Sequence, residues 1–276
     1  MHNLWMGFKR KEGTRLQAGS NSNSFGLDVS EFQGLITWSQ VKTQKAFAFI
    51  RASYGTTIAD AMFHANWLNA QKAGMIVSAY HFAVPNASDP NAQVAFMLDQ
   101  INRAGGYQGH NLAPALDLED ATTLDDAALR DWAVAFCNSL DAAIKNPAQR
   151  TMIYSYVAFI ASHPLTFAAL RDRLLWIADY NPSGQPPNVA SWTQWTAWQY
   201  ADTGRVGGIL TAVDLDEWHG PASTLVPQSP APVITHETTT LQQQVADLQK
   251  TLTAKDQELA ALQAAIAKIQ ADLKGV

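Results

Sequence analysis

The sequence predicts an α/β fold: an irregular (β/α)8-type barrel, about (β/α)5(β)3, followed by a C-terminal coiled-coil helix. Three observations predict it. Eight short β-like apolar runs lie within residues 25–220, and helical patterns separate the early ones. The helical punctuation stops after the sixth run, where prolines and glycines take over. Beyond residue 240, apolar residues recur in steps of four and three.

The expected strands are 25–29, 47–52, 75–82, 113–119, 152–156, 174–178, 196–200 and 212–215. A helix is expected from Asp60, with Phe63 and Trp67 on one face, to Gly74. Asp89 and Pro90 form an N-cap and first-turn pair for the next, before Val94, Met97 and Ile101. Thr123 with Asp126 reads as the opening of a third, with Leu129, Trp132, Phe136 and Leu140 along one side. A fourth is expected over 157–173, broken at Pro164. Eight such strands in about 200 residues suggest a closed parallel barrel that has lost its last helices. An open doubly wound sheet would want a glycine-rich phosphate loop after the first strand, and Asp28-Val29-Ser30-Glu31 is not one.

Composition divides the chain further. Residues 1–24 end in Gly-Ser-Asn-Ser-Asn-Ser and read as a flexible extension. Residues 221–240 hold four prolines with Ser and Thr and read as a linker. Over 241–273 a seam runs through Leu241, Val245, Leu248, Leu252, Leu259, Leu262, Ile266, Ile269 and Leu273, interrupted at Lys255. Such a seam predicts a coil roughly 50 Å long at 1.5 Å per residue, and with it a homo-oligomer.

The chain has 276 residues and a net charge of −5, which disfavours a nucleic-acid backbone as partner. No run is long enough to span a bilayer, so no membrane insertion is expected. With Cys137 alone, no intramolecular disulfide can form, and its helix-face setting predicts a small buried side chain. The apolar patch Leu4-Trp5-Met6-Gly7-Phe8 precedes its basic residues, the reverse of an export signal. A chain made in a cytoplasm and reaching an outer substrate after release is therefore expected, or one that is extracellular by another route.

In a barrel of this kind the site lies at the carboxyl ends of the strands. Those ends carry Asp28, Arg51, Tyr80 and His81, Asp117 and Glu119, Tyr154 and Tyr156, then Gln199 and Tyr200, with Trp176 on the sixth strand and Asp214 and Asp216 on the eighth. Side chains alternate along a strand, so in PALDLED (114–120) Asp117 and Glu119 share one face while Leu116 and Leu118 take the other. Closing the barrel brings strands one and eight together, and with them Asp28 and Asp214. Clustered carboxylates cannot all stay ionised, and a raised carboxyl is what a glycosidase uses to protonate its leaving oxygen. Asp120, Asp125 and Asp126 lie past the strand and are expected to cap the following helix. Five late tryptophans (Trp176, Trp192, Trp195, Trp198 and Trp218) divide between core and sugar-stacking roles that the sequence alone does not separate. No EF-hand loop, HExxH spacing or nucleophile elbow is present.

The ordered segments GLDVSEFQG (26–34), FIRASYG (49–55), AGMIVSAYHF (73–82), PALDLE (114–119), LWIADY (175–180), WTAWQY (195–200) and VDLDEW (213–218) resemble the glycoside hydrolase family 25 muramidases, the Chalaropsis-type lysozymes. The resemblance covers about seven-tenths of the chain. It implies a barrel with five α-connections and cleavage of the β-1,4 bond between N-acetylmuramic acid and N-acetylglucosamine in peptidoglycan, without cofactor or metal. It also implies likeness to phage endolysins. Carried over by position, Glu119 matches the acid/base, Asp117 the residue orienting the substrate acetamido group, and Asp28 and Asp214 groups that tune charge and bind sugar. Tyr80, His81, Tyr154, Tyr156, Trp176, Gln199, Tyr200, Arg51 and Asp216 are the expected substrate-binding set. A direct nucleophile and an inverting route stay open beside acetamido assistance. Asp216 and Trp218 depart from the family, where Asn and Phe are usual. A family 18 chitinase would want acids at 113 and 115, which are alanines. A glycan-binding barrel without catalysis, or a virion part bearing a wall-cutting domain, are the competing classes.

Overall fold

The computed structural model describes residues 23–225, apart from 110, 121–122, 182–185 and 190, together with Lys255. The chain divides into two units, Met1–Gln228 and Ser229–Val276, and every described residue but Lys255 lies in the first. The coil expected over 241–273, most of the linker and nearly all of the N-terminal extension lie outside the described residues.

The first unit is a closed barrel. In chain order its elements are β1 (Ser24–Val29), α1 (Trp38–Val41), β2 (Phe47–Tyr54), β3 (Ile58–Ala59), α2 (Phe63–Lys72), β4 (Ile76–Phe82), α3 (Pro90–Arg103), β5 (Ala115–Asp117), α4 (Asp126–Ile144), β6 (Met152–Tyr156), α5 (Val157–Ser162), α6 (Pro164–Ala169), β7 (Leu175–Ala178), β8 (Ala197–Gly204) and β9 (Val213–Trp218). The sheet runs β1-β9-β8-β7-β6-β5-β4-β2, and pairing of β1 with β2 closes it; β3 is a short antiparallel addition to β2. Helices fill the first five connections between barrel strands. Among the described residues none follows β7 or β8 before β9.

The eighth barrel strand corrects an expectation. β9 runs antiparallel to both neighbours, β8 and β1. A fully parallel barrel therefore does not form. Without a helix to carry the chain back to the floor, the chain re-enters from the mouth. Asp214, at the start of β9, pairs in register with Asp28 near the end of β1, and Trp218 pairs with Ser24 at the floor.

Alternation sorts two cores. Leu27, Val29, Ala48, Ile50, Val77, Ala79, Leu116, Leu118, Ile153 and Ile177 face the helices. Phe47, Phe49, Tyr80, Ala115, Met152, Tyr154, Trp176 and Trp218 fill the barrel. Phe49 stacks on Trp176 with centroids 4.0 Å apart, and Phe47 meets Trp218 edge-on. Gly26 faces inward because Phe47 occupies the space: a Cβ there would lie 2.4 Å from its ring. Each such aromatic contributes roughly 2–3 kcal/mol on burial, and together they make a dry plug beneath the mouth.

Helix starts differ in detail from expectation. Asp89 caps α3 as predicted, accepting from the Asn91 and Ala92 amides. Asp125, not Thr123, caps α4. Asp126 instead crosses to α6, where its carboxylate accepts from the Leu165 and Thr166 amides and stands below its ordinary range, because these bonds outweigh the opposing effect of burial. Asp60 lies ahead of α2, accepts from the Met62 amide and spends its other oxygen on Arg51. Cys137 is a buried free thiol, as expected. No described helix is long and apolar enough to cross a membrane.

Candidate active site

The mouth holds a cavity of about 180 Å³ lined by Asp28, Ser30, Phe32, Arg51, Tyr80, Phe82, Asp117, Glu119, Tyr154, Trp176, Gln199 and Asp214. All eight barrel strands contribute, β9 through Asp214 near its start. β5 ends at Asp117, so Glu119 stands just past the strand rather than within it. Leu118 still bonds the Tyr154 carbonyl, and this keeps the segment on its strand-like course. Asp117 is buried with Oδ1 lacking a hydrogen-bond partner, whereas Glu119 is half-buried at the rim.

Among the described residues Arg51 is the one cation lining the cavity. Its Nε donates to Asp60 at 2.9 Å and its NH2 group to Glu31 at 3.1 Å. Two carboxylates hold it rigid, and its charge partly offsets the repulsion that Asp117 feels.

Gln199 is the polar hub. Its Nε2 donates to Asp28 Oδ2 at 2.6 Å and, at 3.4 Å, to Asp214 Oδ2. Its Oε1 accepts the hydroxyls of Tyr154 at 2.9 Å and Tyr180 at 2.6 Å. Below, Asp216 accepts from Trp176 Nε1 at 2.7 Å. Asp28 pairs in register with Asp214 across β1 and β9, and Asp214 and Asp216 both add repulsion to its charge.

Burial dominates the electrostatics. It pushes Asp28 well above the carboxylate range, with Asp214 and Asp216 adding repulsion. Burial likewise raises Asp117, reinforced by Glu119 and opposed by Arg51. Asp216 is raised by burial, while the Trp176 bond pulls the other way. Glu119 is lifted by burial, then by Asp120 and Asp214, to about 7. Asp214 rises to about 6, from burial and the charge of Asp202. Glu119 at about 7 and Asp214 at about 6 thus stand above three deeper acids, Asp28, Asp117 and Asp216, whose burial favours the protonated form. Such a site can give a proton to a leaving oxygen and take it back.

Nine of the thirteen expected residues meet at this cavity, and four do not. His81 points outward: its ring stacks on Phe136, Nδ1 faces Ser53 Oγ at 2.9 Å and Nε2 faces Gln93 Oε1 at 2.8 Å. Burial holds it down at about 4, so it is a neutral core histidine. Tyr200 also faces outward, beside Trp198. Both follow from alternation, since their neighbours Tyr80 and Gln199 point in. Tyr156 is partly exposed beside Phe159 and does not line the cavity. Asp216 is fully buried beneath it and touches Trp176, not open space. Ser30, Phe32 and Phe82 line the cavity without having been anticipated. Phe82 shares the inward parity of Tyr80, so the same rule would have found it; Ser30 caps the 3-10 turn Glu31–Gln33 and Phe32 lies within it, beyond the end of β1, where alternation no longer applies. Among the described residues no three His, Cys, Asp or Glu are arranged to hold a metal ion.

The family model described as glycosyl hydrolases family 25 matches residues 27–209. Lysozyme M1 of Streptomyces globisporus is 34% identical over 212 residues, 73% of this chain and 69% of that protein. The crystal structure of a bacterial lysozyme from Streptomyces coelicolor superposes with a TM-score of 0.65 at 33% identity, covering 74% of this chain and 96% of that one. The CTP1L endolysin superposes with a TM-score of 0.60 at 27% identity, covering 71% of this chain and 66% of the other.

Proposed function

The chain belongs to glycosyl hydrolases family 25, and from that membership we propose that its mouth is a muramidase site in which Glu119 is the acid/base. It is a glycoside hydrolase of the lysozyme kind, acting on peptidoglycan. The bond cut is the β-1,4 link from N-acetylmuramic acid to N-acetylglucosamine. The observation that carries the assignment is the pairing of a deep acid with a rim acid. Asp117 sits buried and proton-rich, and Glu119 stands two residues on at about 7, poised between its two forms.

Glu119 gives its proton to the leaving glycosidic oxygen. Asp117 holds the 2-acetamido nitrogen so that the acetamido oxygen attacks the anomeric carbon from the other side, a substrate-assisted route. Glu119, now ionised, then takes a proton from the water that opens the intermediate. Asp28 and Asp214, tied to Gln199, bind sugar hydroxyls and set the local charge. Trp176, Tyr80 and Tyr154 wall the cavity, and Arg51 limits the repulsion around Asp117.

A role as a phage endolysin, reaching the wall after release from a host cytoplasm, is the biological reading we favour; likeness to the CTP1L endolysin supports it. Clearing of purified cell walls by wild type and Glu119→Gln, with the new reducing ends identified, tests the site. The variant should lose ~10²–10⁴-fold in rate, and wild type should release muramic acid ends. Equal clearing by both would remove Glu119 from its role.

A further inference from the structure

We propose that Phe32 is a specificity-determining residue: the open face of its ring is a platform on which one β-linked N-acetylhexosamine unit of the glycan stacks, beside the unit that is cut. The proposal rests on the muramidase reading above and adds where the neighbouring sugar is held. Phe32 lies in the 3-10 turn Glu31–Gln33 just after β1. That is three strands round the closed sheet, through β2 and β4, from β5 and the Asp117–Glu119 pair. A ring placed there borders the cavity but stands apart from the bond that Glu119 protonates.

A sugar platform needs an aromatic face that solvent can reach. The late tryptophans do not supply one: Trp176, Trp192, Trp198 and Trp218 are buried. Trp195 is half-buried beside His219, near the floor. Of the other rings that border the cavity, Tyr80 and Tyr154 are buried, and Phe82 is half-buried and stacked on Tyr54 at 4.6 Å. Phe32 borders the same cavity and is 71% exposed. It adds almost nothing to either core, so its apolar face is left over from folding. A lone exposed ring on a mobile surface would mean little. This one is built in.

The Arg51 guanidinium lies over the Phe32 ring, 5.2 Å from its centroid, and Glu31 and Asp60 hold that guanidinium in turn. The turn is tied on both sides of the phenylalanine. The Ser30 amide donates to Gln33 Oε1 at 2.9 Å and the Phe32 amide to Ser30 Oγ at 3.4 Å. The Glu31 amide donates to Asp60 Oδ2 at 2.9 Å, and Gln33 Nε2 reaches the Ala212 carbonyl at 3.2 Å. One face of the ring is thus backed by Arg51, and a ring already fixed loses little freedom when a ligand covers the other. A β-linked N-acetylhexosamine suits that face. Its substituents are equatorial and its C–H bonds axial, so each side of the sugar ring is an apolar plane. Laying it on the phenyl removes apolar surface from water and sets polarised C–H groups against the electron-rich face.

The experiment uses the full chain and soluble, uncross-linked peptidoglycan glycan strands. The variants are Phe32→Ala, Phe32→Trp and, as a surface control, Leu210→Ser, which changes an exposed apolar residue that does not border the cavity. Release of reducing ends gives kcat and KM, and calorimetry in a Glu119→Gln background gives Kd for the uncut strands. Phe32→Ala should raise KM and Kd about tenfold, the worth of covering one phenyl face, with kcat/KM falling mainly through KM. Phe32→Trp should return both to within about threefold of the parent, because its larger face can stack in the same place. Leu210→Ser should leave both where they were. The thermal midpoint of Phe32→Ala should stay close to that of the parent, since the ring is exposed. A Kd unchanged in Phe32→Ala, a tryptophan variant no better than the alanine one, or an equal rise in Leu210→Ser overturns the proposal. Should Phe32→Ala lower the midpoint, the ratio of Kd between the alanine and tryptophan variants decides alone. Should the wild type leave the strands uncut while Phe32→Ala still weakens binding tenfold, the muramidase reading fails and the platform stands.

Discussion

Glu119→Gln should cost activity and yet stabilise the fold at alkaline pH. In the unfolded chain this carboxyl titrates near 4.5, and in the barrel near 7. Below 4.5 both states hold the proton and the group has no pH-dependent effect. Between the two values the unfolded chain has released its proton while the barrel keeps it, so stability falls as pH rises. Above about 7 the barrel carries a charge that burial, Asp120 and Asp214 all oppose. At ~1.4 kcal/mol per pH unit the full interval amounts to about 3 kcal/mol, with solvent at the rim bringing it toward 2. Glutamine never ionises, so the variant escapes this loss, and Asp117 is relieved of one repelling neighbour as well. The assay is urea unfolding of both proteins, followed by tryptophan fluorescence, at pH 4 and pH 8. The difference in stability between variant and wild type should grow by about 2–3 kcal/mol from the lower to the higher pH, or roughly 4–12 °C in midpoint temperature. Subtracting the pH 4 difference removes any fixed cost of seating an amide. A difference that stays constant, or shrinks, would refute the raised carboxyl and the acid role built on it.

Two further outcomes test the scaffold. Trp176→Phe removes the N–H that bonds Asp216 at 2.7 Å in a fully buried setting. It should cost ~1–3 kcal/mol in urea unfolding, and a loss under 0.5 kcal/mol would mean that Asp216 finds another donor. Gly204→Ala would place a Cβ 2.4 Å from Leu215 Cγ and 2.6 Å from the Val213 carbonyl oxygen. The backbone oxygen of β9 cannot swing aside, so the thermal midpoint should drop by the equivalent of ~1–3 kcal/mol.

The barrel was legible because its signals are local and periodic. Leu116 and Leu118 against Asp117 and Glu119 announce two faces, and the punctuation at Asp89-Pro90 and Pro164 announces helix edges. The direction of the last strand was not legible. A run such as Val213–Trp218 has the same period read upward or downward, and only its pairing partners set its sense. The four residues of α1 and the two of β3 are too short for any period to register. For the site, the acids were found because charge in an apolar strand is conspicuous. His81 and Tyr200 were misplaced because residue chemistry was weighed above parity, which assigns both to the outer layer. The Gln199 hub was invisible in its detail: that one amide would meet Asp28 of β1, Asp214 of β9 and Tyr154 of β6 depends on closure of the whole sheet.

The reversed strand also settles where the chain is tethered. Ser24 and Gly220 are joined backbone to backbone at 3.0 Å, on the floor of the barrel, with Asp28 and Asp214 at the opposite pole. Had the last strand run with its neighbours, the chain would have left from the rim, beside the cavity. As built, entry and exit share one anchorage remote from the cleft. Segments can therefore be grafted before β1 or after β9 at the pole opposite Asp28 and Asp214, without redesign of the rim.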